Sequence, residues 1–379
     1  MSDQTVKPKH SESSSNYYSC AYDFKSDFLV ANSPIGERRP SYFIADVAAN
    51  HDGSLDKAIE LINLCAESGA DAVKFQHFTA STIVSDYGFK ALGSQQSHQS
   101  SWKKSVYEVY DAAALDMDWT PILKKECDKV GVDFFTSPYS IELVDKVDPY
   151  VPAYKIGSGD ITWLENIEHI SLKGKPVMLA TGASTLDDVE RAMAMIAKHC
   201  QEVVLMQCNT NYTVNPENFN HIHLNVLKTY AAMYPNVVLG LSDHTPGHAT
   251  VLGAIALGAR VIEKHFTVDN SLEGPDHTFS MNPITWKEMV DRSRELEMAL
   301  GCGVKKVESN ELETVVLQRR GVCYKGDFPA GHVLKKDDLE VLRPCPEEAV
   351  RPYDIDKILG RSLLLDVNKG ESARWIDIR

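Results

Sequence analysis

No stretch of this chain stays apolar for the roughly 18 to 20 residues that a helix needs to cross a bilayer. Its opening residues, MSDQTVKPKHSESSSNYYSC, lack the apolar core of a signal peptide. No membrane partner is therefore expected, and a cytoplasmic location is. Runs rich in lysine and arginine are missing too. With a formal net charge of -14 the chain is poorly suited to neutralising a phosphate backbone, so no nucleic acid partner is expected. An anionic small molecule would have to be held by a few placed cations. The 8 cysteines contain no C-x-x-C pair and no zinc spacing. They read as scattered free thiols in a reducing compartment, with no chemistry assigned to them.

What is present is an ordinary globular composition, 43% hydrophobic and 24% charged, in a length of 379 residues that suits one large domain and a small one. Residues 1–38 are polar and weakly periodic and read as an N-terminal tail and extension. Beyond them, short apolar runs recur with amphipathic stretches between: YFIADV, AVKFQ, VDFFTS, AYKIGS, PVMLAT, EVVLMQC, VVLGLSDH and RVIEKHF. The stretch SLDKAIELINLCAESGA opens on Ser54 as an N-cap, gathers Ala58, Leu61, Ile62 and Cys65 on one face, and reaches Gly69 at its end; TLDDVERAMAMIAKHC repeats the scheme from Thr185. Eight strands, each followed by a helix, predict an α/β fold, a (β/α)8 TIM barrel over 39–300. A doubly wound open sheet is the alternative, but no Gly-x-Gly-x-x-Gly follows the first strand. A linker over 301–315 and a small, mostly β domain over 316–379, rich in Gly and Pro punctuation, complete the chain.

A barrel of this kind carries its site at the C-terminal ends of its strands. In strand order these ends present Asp46 with Asn50 and His51, then Lys74 and Gln76, Thr136 and Ser137, and Lys155, Ser158 and Asp160. Thr181, Asn209 with Tyr212, Ser242 with Asp243 and His244, and Glu263 with His265 follow. Lysines with hydroxyls suit a phosphate, and two histidines on neighbouring strands suit a divalent metal that leaves positions to water or substrate oxygen. Each group also has a plain structural reading. Either lysine could simply pair with Glu263, Asp46 could cap the next turn, Tyr212 could be core, and a strand-end histidine could be a satisfied structural one. His51, His77, His248 and His277 read as loop residues.

Five segments in this order, IADVAANHDGSLDKA, GADAVKFQ, AYKIGSGD, GLSDHT and RVIEKHFT, resemble the sialic acid synthase family, including its legionaminate and pseudaminate members. The resemblance covers about residues 40–379, and the tail from Arg319 is similar to that family's antifreeze-like (SAF) domain. It implies condensation of phosphoenolpyruvate with the open-chain aldehyde of an N-acetylated hexosamine, giving a nonulosonic acid and phosphate. By the same resemblance His244 and His265 match the ligands of a divalent metal (Mn or Mg), and Asp46 and Lys155 match catalytic positions. Lys74, Ser137, Lys155, Ser158 and Ser242 match phosphoenolpyruvate positions, and Gln76, Asp160, Tyr212 and Asp276 match positions around the sugar. It further implies a domain-swapped homodimer in which Arg343, in VLRPC, reaches the N-acetyl group of the sugar bound by the partner.

Three departures stand out. Asp46 replaces the family's usual glutamate, and Ala180 replaces a serine for which Thr181 or Ser184 could compensate. Asn209, Thr210 and Asn211 compete for the place of one asparagine. A different phosphoenolpyruvate-condensing or aldol enzyme, or an antifreeze-like binding protein, are the alternative readings. The long connection after the second strand, from Phe78 to Trp119, is where specificity or dimer contacts are expected.

Overall fold

In a parallel strand the side chains alternate between two faces, and in this chain the two faces have different company. The computed structural model describes residues 22–93, 99 and 102–379. After an antiparallel hairpin of β1 (Asp27–Val30) and β2 (Ser33–Gly36), the eight expected runs become β3 (Tyr42–Asp46), β4 (Ala72–His77), β5 (Asp133–Pro138), β6 (Tyr154–Ile156), β7 (Val177–Ala180), β8 (Val203–Cys208), β9 (Val238–Asp243) and β10 (Ala259–His265). All pair in parallel in the order β5-β4-β3-β10-β9-β8-β7-β6, and β5 and β6 lie side by side without a ladder, so the sheet is a nearly closed TIM-like barrel.

The helices between are α1 (Leu55–Glu67), then α2 (Ala80–Ile83), α3 (Asp86–Ala91) and α4 (Val106–Ala113) in the long connection, then α5 (Thr120–Val130), α6 (Ile141–Val147), α7 (Leu164–Ser171), α8 (Leu186–Ile196), α9 (Val226–Met233), α10 (Ala249–Ala256) and α11 (Pro283–Leu300). Their starts follow the capping residues. The Ser54 side chain accepts from the Lys57 N–H, and Thr185 forms a capping box with Asp188. Ala58, Leu61, Ile62 and Cys65 of α1 face the sheet as the spacing predicts. None of the described helices is long and apolar enough to cross a membrane.

Strand parity sorts the residues. Phe43, Ala45, Val73, Leu241 and Ile262 point outward into the layer between sheet and helices. Ile44, Ala72, Phe135, Ala153, Met178, Val204, Val238 and Val261 point inward and fill the lower part of the barrel. Gly240 sits in the same inward row, where an added Cβ would lie 2.8 Å from the Met206 side chain and 2.9 Å from the Val261 carbonyl, so the crowded interior admits only glycine there. Further along β3, β4, β5, β6, β9 and β10 the inward positions turn polar, at Asp46, Lys74, Ser137, Lys155, Ser242 and Glu263, whereas β7 keeps Ala180.

Within the stretch expected to form a tail and extension, Asp27–Gly36 is the β1–β2 hairpin, and its Phe28, Val30 and Ile35 join the inward apolar cluster. The hairpin thus closes the N-terminal end of the barrel with hydrocarbon, while residues 1–21 lie outside the described residues. The chain divides after Leu300, and the second unit begins at Gly301. That unit holds α12 (Leu312–Gln318) and an antiparallel pair of β11 (Gly321–Tyr324) and β12 (Leu339–Leu342). Isolated bridges such as Phe328 with Val367 surround a core of Val322, Tyr324, Leu334, Val350, Leu363 and Ala373.

The hairpin's role as a floor gives a test. Ile35 is 1% exposed, so Ile35→Ala is expected to lower unfolding stability in urea by about 2–5 kcal/mol, the usual cost of removing a buried isoleucine side chain. A loss under about 0.5 kcal/mol, the scale of a surface change, would show that the hairpin is not part of the packed interior.

Candidate functional site

Register fixes the floor of the site. Asp46 lies opposite Lys74 on one side and His265 on the other, and Glu263 lies opposite Ser242. Being inward residues of adjacent strands, they meet at the centre. Lys74 Nζ stands 2.6 Å from Asp46 Oδ2 and 3.8 Å from Glu263 Oε2, and Lys155 Nζ donates to Glu263 Oε1 at 2.9 Å. Ser242 Oγ donates to the same Glu263 oxygen at 3.1 Å. Asp46 fits the turn-capping reading given for it and also joins the charge cluster. Its Oδ1 accepts from the Ala48 N–H and caps the turn, while its Oδ2 takes Lys74 and the Gln76 amide at 3.1 Å. Two lysines and two carboxylates are therefore buried together, at 2%, 3%, 1% and 5% exposure for Lys74, Lys155, Asp46 and Glu263.

The electrostatics follow from this geometry. Burial alone would push the Glu263 carboxyl up, but Lys155 and Lys74 outweigh it and hold the group down at about 2. Asp46 moves the other way, raised by burial and by the neighbouring Glu263 charge against the pull of Lys74. Burial pushes Asp160 up to about 6. It pushes Asp276, whose side chain is 19% exposed, up to about 7 although the Ala49 N–H donates to it at 3.2 Å.

His244 and His265 face each other with ring centroids 5.4 Å apart, beneath Tyr212 and Phe279. Nδ1 of His244 meets the Asn209 carbonyl at 2.8 Å. A carbonyl only accepts, so Nδ1 carries the proton and Nε2 keeps its lone pair. Burial, then the neighbouring ring, hold His244 at about 3, and burial with the nearby Lys74 holds His265 at about 3 as well, so both imidazoles are neutral. Nδ1 of His265 is buried without a hydrogen-bond partner. Two neutral rings with bare nitrogens fit a divalent metal such as manganese or magnesium. Among the described residues no group of three His, Cys, Asp or Glu converges for one, so water and substrate oxygen would fill the other positions.

Behind the histidines, on the outward face, Asp243 takes the Lys264 ammonium and the hydroxyls of Thr245 and Thr250, and Lys264 also donates to the Thr245 carbonyl at 2.6 Å. This pair ties β9 to β10 directly beside the two rings.

A cavity of about 380 Å³ opens above the lysines. Of the residues singled out from sequence, Asp46, Lys74, Gln76, Lys155, Ser158, Asp160, Tyr212, Ser242, His244, Glu263, His265 and Asp276 line it. Ser137 does not reach the lining, and its hydroxyl is buried without a partner at the end of β5. Arg343 is an exposed residue of the second unit, donating to the Gln318 carbonyl at 2.6 Å.

Neither residue offered as a substitute at Ala180 faces the cavity. Thr181 Oγ1 donates to the Met206 carbonyl and accepts from Tyr230, and Ser184 Oγ donates to the Gly182 carbonyl. The Gly182 N–H instead donates to Ser158 at 2.9 Å.

The loop expectation fails for His77, which lies on β4, whereas His51 and His277 lie in turns as expected, and all three are buried. His77 is a strand residue bonded to Thr136 and Thr120, and His277 is bonded to Thr267 and Asp52. His51 packs edge-on against Trp119. Their polar neighbours come from distant segments, which local sequence does not show. Missed from sequence as lining residues are Tyr139, Cys208, and Phe78, Ile83, Trp102, Val109, Tyr110 and Ala113 of the long connection. The apolar face of VYEVYDAA was the signal available for α4.

Fold and site together define a TIM-barrel protein whose strand ends carry a buried lysine–carboxylate cluster beside a metal-compatible histidine pair. The chain belongs to the NeuB family, whose profile matches residues 61–305, and residues 319–379 match the SAF domain. An N,N'-diacetyllegionaminic acid synthase of Legionella pneumophila is 33% identical over 348 residues, covering 90% of this chain and 96% of that protein. The N-acetylneuraminate-9-phosphate synthase of Homo sapiens is 30% identical over 342 residues, covering 89% and 92%. A crystal structure of an N-acetylneuraminic acid synthetase from Leptospira borgpetersenii, in complex with citrate, matches with a TM-score of 0.67 at 26% identity, over 77% of this chain and 95% of that one.

Two outcomes are expected from these electrostatics. The Asp276 carboxyl sits near 4 in the unfolded chain and at about 7 in the fold. Between those values the folded state keeps a proton that the unfolded chain has lost, so stability falls as pH rises through the window. Asp276→Asn should flatten that slope, measured as urea midpoints at pH 5 and 7.5. Separately, Asp243→Ala strands the buried Lys264 charge and should cost about 3–5 kcal/mol of unfolding free energy.

Proposed function

We propose that this protein condenses phosphoenolpyruvate with the open-chain aldehyde of an N-acetylated hexosamine, releasing phosphate and forming a nonulosonic acid. One observation carries the reading: two ammonium groups, Lys74 and Lys155, are buried at the floor of the cavity within reach of two carboxylates and beside the facing pair His244 and His265. Cations this well buried and prepositioned suit a compact polyanion, whose oxygens take over the lysine hydrogen bonds with little reorganisation.

In the reaction, C3 of phosphoenolpyruvate attacks the aldehyde carbon, forming the C–C bond. Water adds at C2, and phosphate departs from the tetrahedral centre with its C–O electron pair. Lys74 and Lys155, with Ser158 and Ser242, hold the phosphate and carboxylate oxygens. Gln76, Asp160, Tyr212 and Asp276 surround the sugar, and holding both substrates supplies much of the rate. Asp46, raised by burial and already beside Lys74, accepts the proton of the attacking water. His244 and His265 would hold a divalent metal (Mn or Mg), which would supply Lewis-acid polarisation of the aldehyde oxygen. The homodimer, with Arg343 of one subunit serving the sugar site of the other, belongs to this reading through the family resemblance.

The test is phosphate release from phosphoenolpyruvate with a panel of N-acetylated hexosamines, with product mass recorded. Chelation is expected to abolish release, manganese or magnesium to restore it, and Asp46→Asn to lower turnover about a hundredfold or more while phosphoenolpyruvate still binds. Full turnover in an exhaustively chelated sample, or no release with any acceptor, would overturn the reading.

A further inference from the structure

The outer wall of the cavity carries information about the acceptor, on the premise that the condensation proposed above is correct. The long connection builds that wall. α4 sets Val109 and Ala113 one turn apart on a single face, half-buried, and Ile83 at the end of α2 joins them. An arc of rings continues it, with Trp102 against Tyr110 at 6.4 Å, Tyr110 against Phe78 at 5.4 Å, and Phe78 against Tyr139 at 6.0 Å. Ile83, Trp102, Val109 and Ala113 present hydrocarbon and one indole where the end of a sugar remote from its aldehyde would rest.

Charge points the same way. The ionisable acids and cations lining the cavity, other than the two histidines, are Lys74 and Lys155 against Asp46, Asp160, Glu263 and Asp276. Both lysines are committed to phosphoenolpyruvate, and no described arginine lines the space. The seven residues of this connection outside the described set, 94–98 and 100–101, read SQQSH and SS and contain neither lysine nor arginine. Lys103 and Lys104 are exposed and outside the lining, and Lys103 faces Glu273 at 4.0 Å. A phosphate resting on this wall would therefore exchange water for hydrocarbon and carboxyl groups, with no described lysine or arginine of the barrel free to meet it, while Arg343 belongs in the proposed reading to the acceptor's N-acetyl group.

We infer that the acceptor is an unphosphorylated N-acetylated hexosamine that presents methyl groups, a 6-deoxy carbon or an N-acetyl methyl, to the wall of Ile83, Val109 and Ala113. Among relatives whose names span a 9-phosphate product and a diacetylated one, this places the chain's preference with the neutral, methyl-bearing sugars.

The experiment measures kcat/KM of the full chain for three acceptors at saturating phosphoenolpyruvate: an N-acetylhexosamine, its 6-phosphate, and a 6-deoxy diacetamido analogue. The 6-phosphate is expected at least about a hundredfold below the better neutral sugar, and the deoxy sugar about tenfold or more above the 6-hydroxy one, the scale of pocket discrimination by single groups. Val109→Arg, which puts a cation on the wall, should cut the discrimination against the 6-phosphate about tenfold or more. Val109→Thr, which keeps shape and adds a hydroxyl, should erode the preference for the deoxy sugar. In both variants the change should fall on the acceptor, with the phosphoenolpyruvate KM moved less than about twofold. A preference for the 6-phosphate, or wall variants that leave the acceptor order untouched, would overturn the inference while the condensation stands. If none of the three acceptors releases phosphate although phosphoenolpyruvate binds, the condensation reading fails and the inference with it.

Discussion

Two ammonium groups inside a protein cost too much to stand alone, and the upper barrel is organised around that cost. Lys74 and Lys155 are 2% and 3% exposed, and neutralising them requires Asp46 and Glu263 to be equally buried and within hydrogen-bond reach. That requirement constrains four strands at once, because Asp46, Lys74, Lys155 and Glu263 come from β3, β4, β6 and β10. Glu263 spans the barrel, taking Lys155 from the far wall and standing close to Lys74 on the near one. Removing any one member leaves another charge in low dielectric without its partner. A ligand that replaces the carboxylates as the lysines' partner is, for the same reason, bound by groups already in place.

The same alternation that sends these charges inward sends their sequence neighbours outward. Ser242, His244, Glu263 and His265 face the cavity, while Asp243 and Lys264 face the helices and pair with each other. Thr250, at the start of α10, adds a hydroxyl to Asp243. The two rings are therefore held from behind by a buried ion pair and from the side by the Asn209 carbonyl, which sets the tautomer of His244. Below them the interior is hydrocarbon, plugged by Phe28, Val30 and Ile35 of the hairpin. A low-dielectric floor strengthens every charge interaction in the layer above it.

The site has two chemically distinct halves. Near the strand ends it is ionic, built from residues that are nearly all buried. Toward the mouth it is lined by side chains of α2, α4 and Trp102, which are half-buried and mostly apolar. Under the proposed condensation the first half holds the part common to all such reactions and the second meets the part of the acceptor that varies. Connections outside the barrel carry such variation at little cost, since Val109 or Ile83 has no partner inside the charge cluster.

Much of this was legible in the sequence because it depends only on local periodicity. Eight apolar runs at two-residue alternation, Ser54 and Thr185 as caps, and the paired endings SDH and EKH determine strands, helices and the fact that His244 and His265 share a rim. A strand's alternation says which of its own side chains lie on the same face. It does not say what stands opposite, so although the sequence offers Glu263 as a partner for either lysine, the tertiary structure decided that it takes Lys155, 108 residues away, and also lies near Lys74. It also decided that Thr181 faces away from the cavity and that His51, His77 and His277 are core. The hairpin floor was hidden for the same reason, and the long connection, though expected to carry contacts, did not show which residues of α2 and α4 form the wall, since the apolar faces of short segments acquire a meaning only from what closes over them. Barrel closure sets which distant residues come within a few ångströms, and the energy of a buried charge depends on that distance and on the water excluded, neither of which is a property of a segment read by itself.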